Sequence, residues 1–287
     1  MKSAQQSSPS AIDHLGVVGR DMAVLTKAYT RLGFAPTEPV PLMSEQGGKP
    51  APLGQDSSHL IFADSYVELA GVTSQDQGHH LAPWLARRNG LHILALGSAS
   101  AADSHAALTA AGLEVPPVQN AGRYVDYGNR HGDAQFRWFK VPEALGAEGF
   151  LCVVEQVTPD LVFQPPEDEH PNGALGVISI TVLAADAAAA TARYASLPGA
   201  QSDSTGVVRL GSQTIEIVNP QTLGKRYPGT VSITAPALAG FTVRVNGLDH
   251  TRACLEDNGV AVRSTEEGGL WVGPDEACGS LVIFAED

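Results

Sequence analysis

The run Ile12-Asp13-His14-Leu15-Gly16-Val17-Val18, followed by Asp21 and then by Met22, Leu25, Ala28, Tyr29 and Leu32, carries the reading of the fold. Its first part is a β-like apolar run. Asp21 is a suitable helix N-cap, because its short carboxylate can accept from the unpaired N–H groups of a first turn. The five apolar residues after it are spaced for one helical face, and Gly33 is a stop signal. Beyond a Pro/Gly-rich loop come His59-Leu60-Ile61-Phe62, a turn at Ala63-Asp64-Ser65, and Tyr66-Val67-Glu68-Leu69-Ala70, which read as strands. The order is strand, helix, strands.

The same order returns three more times. Leu91 to Leu96 is a strand, Ala99 to Ala111 a helix ended by Gly112, and Arg123–Tyr127, Ala134–Lys140 and Phe150–Gln156 are strands. A third copy begins at Val177, with a helix from Asp186 to Leu197, and a fourth at Phe241, with a helix from Leu248 to Asn258. The chain is therefore expected to be α+β, with four βαβββ modules paired into two curved mixed-sheet half-barrels. A single such sheet has an open edge and an apolar concave face, so modules should pair. The Pro-rich link from Thr158 to Gly173 divides the chain into a first pair, 11–160, and a second pair, 174–287, behind a disordered tail, 1–10. A pairing of module one with four and of two with three stays open at this stage.

Composition limits the functions. The chain has 287 residues, 18 Lys plus Arg against 31 Asp plus Glu, and a formal net charge of −13. Such a surface disfavours nucleic acid and anionic membrane, which need positive charge. No apolar run approaches the roughly 20 residues of a membrane span. Three scattered cysteines, Cys152, Cys254 and Cys278, make neither a disulfide framework nor a metal knuckle, so a cytoplasmic location is expected. The expected partner is a small-molecule substrate, with the chain a monomer or homodimer.

Modules one and two each offer one imidazole on a first strand, His14 and His92, and one carboxylate on a last strand, Glu68 and Glu155. In modules three and four the first strands offer Ser179 and Thr242 instead, and Glu216 repeats the place of Glu68 without an imidazole partner. Two unpaired carboxylates on a covered face are costly, and one divalent cation would relieve both. Two imidazoles and two carboxylates suit Zn, Ni, Co, Mn or Fe. Arg123, Tyr124 and Arg137 on the middle strands, and His59 at a strand start, are candidate substrate contacts, an arginine being able to grip a carboxylate bidentately. Asp13, next to His14 in a strand, is expected to face the other way. His79-His80 read as linker surface and Cys152 as core packing.

The run Asp13 to Val18 with Asp21, Leu25, Tyr29 and Leu32-Gly33-Phe34, then Tyr66-Val67-Glu68-Leu69, resembles the opening module of the vicinal oxygen chelate superfamily, which includes glyoxalases, bleomycin-resistance proteins and extradiol dioxygenases. Gly90-Leu91-His92-Ile93-Leu94-Ala95-Leu96 is similar to its second module. Val154-Glu155-Gln156, Thr158-Pro159 and His170-Pro171-Asn172-Gly173-Ala174 resemble its glyoxalase-like domain branch. The resemblance implies a metal-bearing cavity between paired modules, with ligands on first and last strands that map to His14, Glu68, His92 and Glu155. It further implies a substrate chelated through vicinal oxygens, with Glu68 or Glu155 as the proton-transfer base. The expected activity is a metal-dependent lyase or isomerase of glyoxalase or epimerase type. A non-haem Fe(II) ring-cleaving dioxygenase and a metal-free small-molecule binder are the alternatives.

Overall fold

The computed structural model describes residues 9–46, 49–164, 169–203 and 207–286. Most of the expected tail, residues 1–8, lies outside them; Ser10 donates its N–H to the Gly97 carbonyl at 2.9 Å. The first half runs β1 (Ala11–Gly19), α1 (Met22–Arg31), β2 (Val40–Gln46), β3 (Lys49–Ile61), β4 (Tyr66–Val72), α2 (Ala82–Leu85), β5 (Gly90–Gly97), α3 (Ala101–Ala110), β6 (Gln119–Val125), β7 (Gly132–Lys140), β8 (Phe150–Gln156) and α4 (Pro159–Val162). The second runs β9 (Ala174–Leu183), α5 (Ala187–Ala195), β10 (Gln201–Ser202), β11 (Val207–Leu210), β12 (Gln213–Val218), α6 (Pro220–Arg226), β13 (Ala237–Val245), α7 (Leu248–Asp257), β14 (Val262–Ser264), β15 (Leu270–Val272) and β16 (Leu281–Ala285).

Local chemistry accounts for the helices. Asp21, Ser100 and Asp186 each accept, through the side chain, from a first-turn N–H of α1, α3 and α5. Such a cap is worth about 1 kcal/mol. Gly33 and Gly112 follow α1 and α3 at φ of 76° and 85°, a left-handed conformation that other residues adopt only with strain. The apolar stripe of α1 buries Met22, Leu25 and Tyr29. Each such side chain contributes about 1.5–3 kcal/mol on burial.

The strands form two eight-stranded mixed sheets, ordered β2-β3-β4-β1-β5-β8-β7-β6 and β10-β11-β12-β9-β13-β16-β15-β14. Modules one and two thus share one sheet, joined through antiparallel β1 and β5, and modules three and four share the other, joined through β9 and β13. Both central pairs are bulged. In the first sheet Asp13 and His92 are the extra residues; in the second, Ile178 and Ala239 hold the same places. Each of these four residues lies eight positions before its module's helix N-cap, at Asp21, Ser100, Asp186 or Gly247.

One face of each sheet carries helices, and these faces feed one contiguous core that includes Leu15, Leu94, Val153, Ile180, Phe241 and Phe284. The opposite faces differ. The first sheet curls until its two edge strands, β2 and β6, line the same cavity. In the second sheet that face is filled: Leu223 and Tyr227 of α6 and its end, with Ile233 beyond, pack on Leu183, Val218, Ala239, Trp271 and Ile283. Glu216, facing this plug, is paired with Arg226 of α6. No helix among the described residues is long and apolar enough to cross a membrane.

The plug is structural, so its loss should not reach the open cavity. Leu223→Ala is expected to cost about 2–5 kcal/mol in urea unfolding, while leaving ligand binding in the first sheet unchanged by titration calorimetry.

Candidate functional site

The concave face of the first sheet encloses a cavity of about 260 Å³ lined by His14, Ser57, His59, Tyr66, Glu68, Arg123 and Gln156 on polar positions, and by Ile93, Phe136, Trp138, Phe150, Cys152 and Val154 on apolar ones. Strand alternation puts them there. His14 pairs with Tyr66 and Gly16 with Glu68 across parallel β1 and β4, so His14, Tyr66 and Glu68 share a face. Gly16 is required beneath them, because a Cβ there would lie 2.6 Å from Ile93.

His14 is fixed by two contacts. Its ring stacks on Tyr66 with centroids 4.5 Å apart. Its Nδ1 donates to Asp13 Oδ1 at 2.7 Å, and the same carboxylate accepts from Gln156 Nε2 at 3.1 Å. In the neutral ring this bond places the proton on Nδ1 and leaves the lone pair on Nε2. Asp13, expected to face away, reaches His14 because it is the bulged residue, and a bulge re-aims a side chain that simple alternation would send to the other face. Asp13 is itself buried, at 4% exposure. Gln156 Oε1 is buried and has no hydrogen-bond partner.

Glu68 accepts from the Ser57 hydroxyl at 2.7 Å. Arg123 donates to the Tyr127 hydroxyl at 2.8 Å and lies over the Tyr66 and Tyr127 rings. It has no carboxylate within ion-pair distance among the described residues. His59 is buried and its imidazole is held neutral: desolvation pushes its pKa well below the usual value, and Arg123 and His14 add to the effect. Burial likewise raises the Tyr66 phenol well above its usual value.

The other expected site residues lie elsewhere. His92 is the bulged residue of β5, the counterpart of Asp13 and not of His14. It is 1% exposed, packs on the Trp84 ring at 5.7 Å, and donates from Nε2 to the Arg88 carbonyl at 3.0 Å. Seven residues before the cap Ser100 stands Ile93, which is therefore the counterpart of His14. Glu155 faces the helix side of β8. Its Oε2 accepts from Ala101 N at 2.9 Å, in the first turn of α3, and its Oε1 from Arg137 at 2.8 Å. Glu286 does the same for α7 through Leu248 N at 2.8 Å. These carboxylates stabilise helix N-termini. The counterpart of Glu68 is Cys152, since Ala95 pairs with Cys152 as Gly16 pairs with Glu68. Arg137 is held by Glu155, and Tyr124, 59% exposed, lines an open groove outside the cavity with Arg137.

The four expected ligands are thus separated: His14 and Glu68 line the cavity, His92 and Glu155 do not. Among the described residues no group of three or more His, Cys, Asp or Glu side chains is placed to hold a metal ion. The donor set does not fit a four-ligand ion. The physical reason is register: in module two the expected imidazole stands one residue, and the expected carboxylate three residues, from the cavity-facing places of Ile93 and Cys152, and an odd displacement in a strand moves a side chain to the other face.

An eight-stranded curled sheet of paired βαβββ modules, with its cavity on the concave side, defines the vicinal oxygen chelate class. Residues 12–198 match the family model of the glyoxalase-like domain, and the chain belongs to that family. No curated protein matches it in sequence. Among solved structures it is similar to a hypothetical protein from Staphylococcus aureus, with a TM-score of 0.62 at 8% identity over 96% of this chain and 99% of that one. It is also similar to a mutant of 4-hydroxymandelate synthase from Streptomyces coelicolor, with a TM-score of 0.58 at 13% identity over 97% and 93%. A third is the Mn(II)-bound glyoxalase from Novosphingobium aromaticivorans, with a TM-score of 0.55 at 12% identity over 98% and 83%. At these identities the likeness is one of fold.

Two outcomes follow from the placements. Glu155→Ala is expected to lower stability by about 1 kcal/mol without changing binding in the cavity, read by unfolding and titration. Burial pulls the His92 imidazole from 6.5 down to about 4. The unfolded chain therefore takes up a proton that the folded chain refuses between these values, and stability falls as pH falls through that window. His92→Gln, which keeps a donor for the Arg88 carbonyl, should flatten the fall in urea midpoint between pH 6.5 and 4.

Proposed function

We propose that the chain is a proton-transferring enzyme of the isomerase or lyase kind, acting on a small, oxygen-bearing carbonyl compound with an apolar part. The observation that carries this is the Asp13–His14 pair: a 2.7 Å bond orients the imidazole, and His14 lines the cavity. A neutral imidazole oriented by a carboxylate is a general base, and the carboxylate stabilises the imidazolium that proton uptake creates. Arg123, without a carboxylate partner among the described residues, is suited to a carbonyl oxygen that gains negative charge as the neighbouring C–H is removed. The proton that His14 takes up is returned by the same imidazolium at the adjacent carbon, and Glu68, held by the Ser57 hydroxyl on the same wall, is a hydrogen-bond acceptor for a substrate hydroxyl. Ile93, Phe136, Trp138 and Phe150 exclude water and receive the apolar part of the substrate. No step here passes through a metal ion.

A second reading, a binder that sequesters its ligand without turnover, is favoured by the apolar groups at the module-two positions. Hydrogen–deuterium exchange separates the two. In D₂O the protein should catalyse loss of the α-C–H NMR signal of at least one of 4-phenylbutan-2-one, hydroxyacetone and dihydroxyacetone. His14→Ala should lower the rate by about 10²-fold or more, and Asp13→Asn by about 10–100-fold. A compound that binds in the cavity and undergoes no exchange would leave the binder.

A further inference from the structure

We infer that this cavity serves its ligand without a divalent ion, the Arg123 guanidinium supplying the positive charge. The inference rests on the cavity being the functional site. It starts from the strand registers. His14 pairs with Tyr66, two residues before Glu68; Ile93 pairs with Phe150, two residues before Cys152. The two module halves are thus superposable, and two of four donor places are a branched hydrocarbon and a thiol. Both line the cavity with His14 and Glu68, so the substitution is in the site itself.

Protein sites for Zn²⁺ hold the ion through three or four side-chain donors. His14 and Glu68 supply two, and no group of three His, Cys, Asp or Glu side chains forms here among the described residues. The work of such an ion is taken by other groups. It would neutralise Glu68; here Ser57 donates to that carboxylate, and Arg123 lines the same cavity. It would fix the His14 tautomer by taking up Nε2; here Asp13 fixes it through Nδ1. It would polarise a ligand oxygen; the guanidinium, with Tyr127 as its only hydrogen-bonded partner among the described residues, keeps N–H donors for that purpose. The second sheet offers a contrast. Its counterpart of Glu68, Glu216, is paired directly with an arginine, Arg226, brought in by α6. In the first sheet Arg123 is not paired with Glu68, and its guanidinium stays available to a ligand.

The test measures ion content directly. The purified chain is equilibrated with Mn²⁺, Co²⁺, Ni²⁺ or Zn²⁺, freed of loose ion and assayed by elemental analysis, and Mn²⁺ binding is followed by electron paramagnetic resonance. The wild type is expected to retain far less than one ion per chain, and the free Mn²⁺ signal to be undiminished. The double variant Ile93→His/Cys152→Glu, which restores both donor places, is expected to retain one ion per chain. The single variant Ile93→His serves if the double variant does not fold, and should retain more ion than wild type. Arg123→Met should weaken cavity binding of 4-phenylbutan-2-one by about tenfold or more, with no rescue by added ion. One ion per wild-type chain, lost in His14→Ala or Glu68→Gln, would overturn the inference. An ion-free chain without exchange activity defeats the enzymatic reading alone; an ion-loaded chain with His14-dependent exchange defeats this one alone.

Discussion

The paired bulges in the central strands of each sheet are the constraint on which the rest of the molecule depends. A strand has a period of two, so one inserted residue decides which side chains beyond it face inward. At Asp13 the insertion turns a carboxylate toward its own neighbour, His14, and makes an oriented imidazole of it. At His92 the same insertion turns an imidazole toward Trp84 and the Arg88 carbonyl and leaves Ile93 to face the cavity. The functional asymmetry of the first sheet comes from different residues at equivalent places on one backbone.

The repeat was legible because its signals are strong and local. Caps at Asp21 and Asp186, apolar stripes such as Met22, Leu25 and Tyr29, and glycine stops at Gly33 and Gly112 mark module after module. His14, Glu68, His59 and Arg123 were candidates on residue type and place in the strand pattern, and the structure brings them to one cavity. His92 and Glu155 are the expected residue types near the expected places, but the strand register turns both away from that cavity. Counting back from the cap of α3 selects Ile93, but the cap is Ser100 rather than an aspartate, so that signal was weak. Asp13 was out of reach for a different reason. A bulge is a property of the pairing of two strands far apart in sequence, and alternation within one strand cannot show it. Gln156 was hidden likewise, since its contact with Asp13 spans 143 positions.

Comparison of the two sheets shows how one architecture is put to two uses. In the first, the concave face stays open, with His14, Glu68 and Arg123 lining a shared cavity. In the second, α6 fills the same face, and Glu216 is paired before any ligand could reach it. The filled sheet still contributes, because its helix-bearing face completes the core that supports the strands of the open one.

The link between the halves is tied down at both ends of its His-Pro-Asn-Gly run. His170 accepts from Ala35 N and donates to the Ile61 carbonyl; Asn172 bonds the Leu32 and Gly33 carbonyls just past α1. Arg88, in turn, reaches the Leu238 and Gly279 carbonyls of the other sheet. These bonds tie the described parts of the two halves to one another. Thermal melting should then be a single cooperative event in which neither half outlives the other.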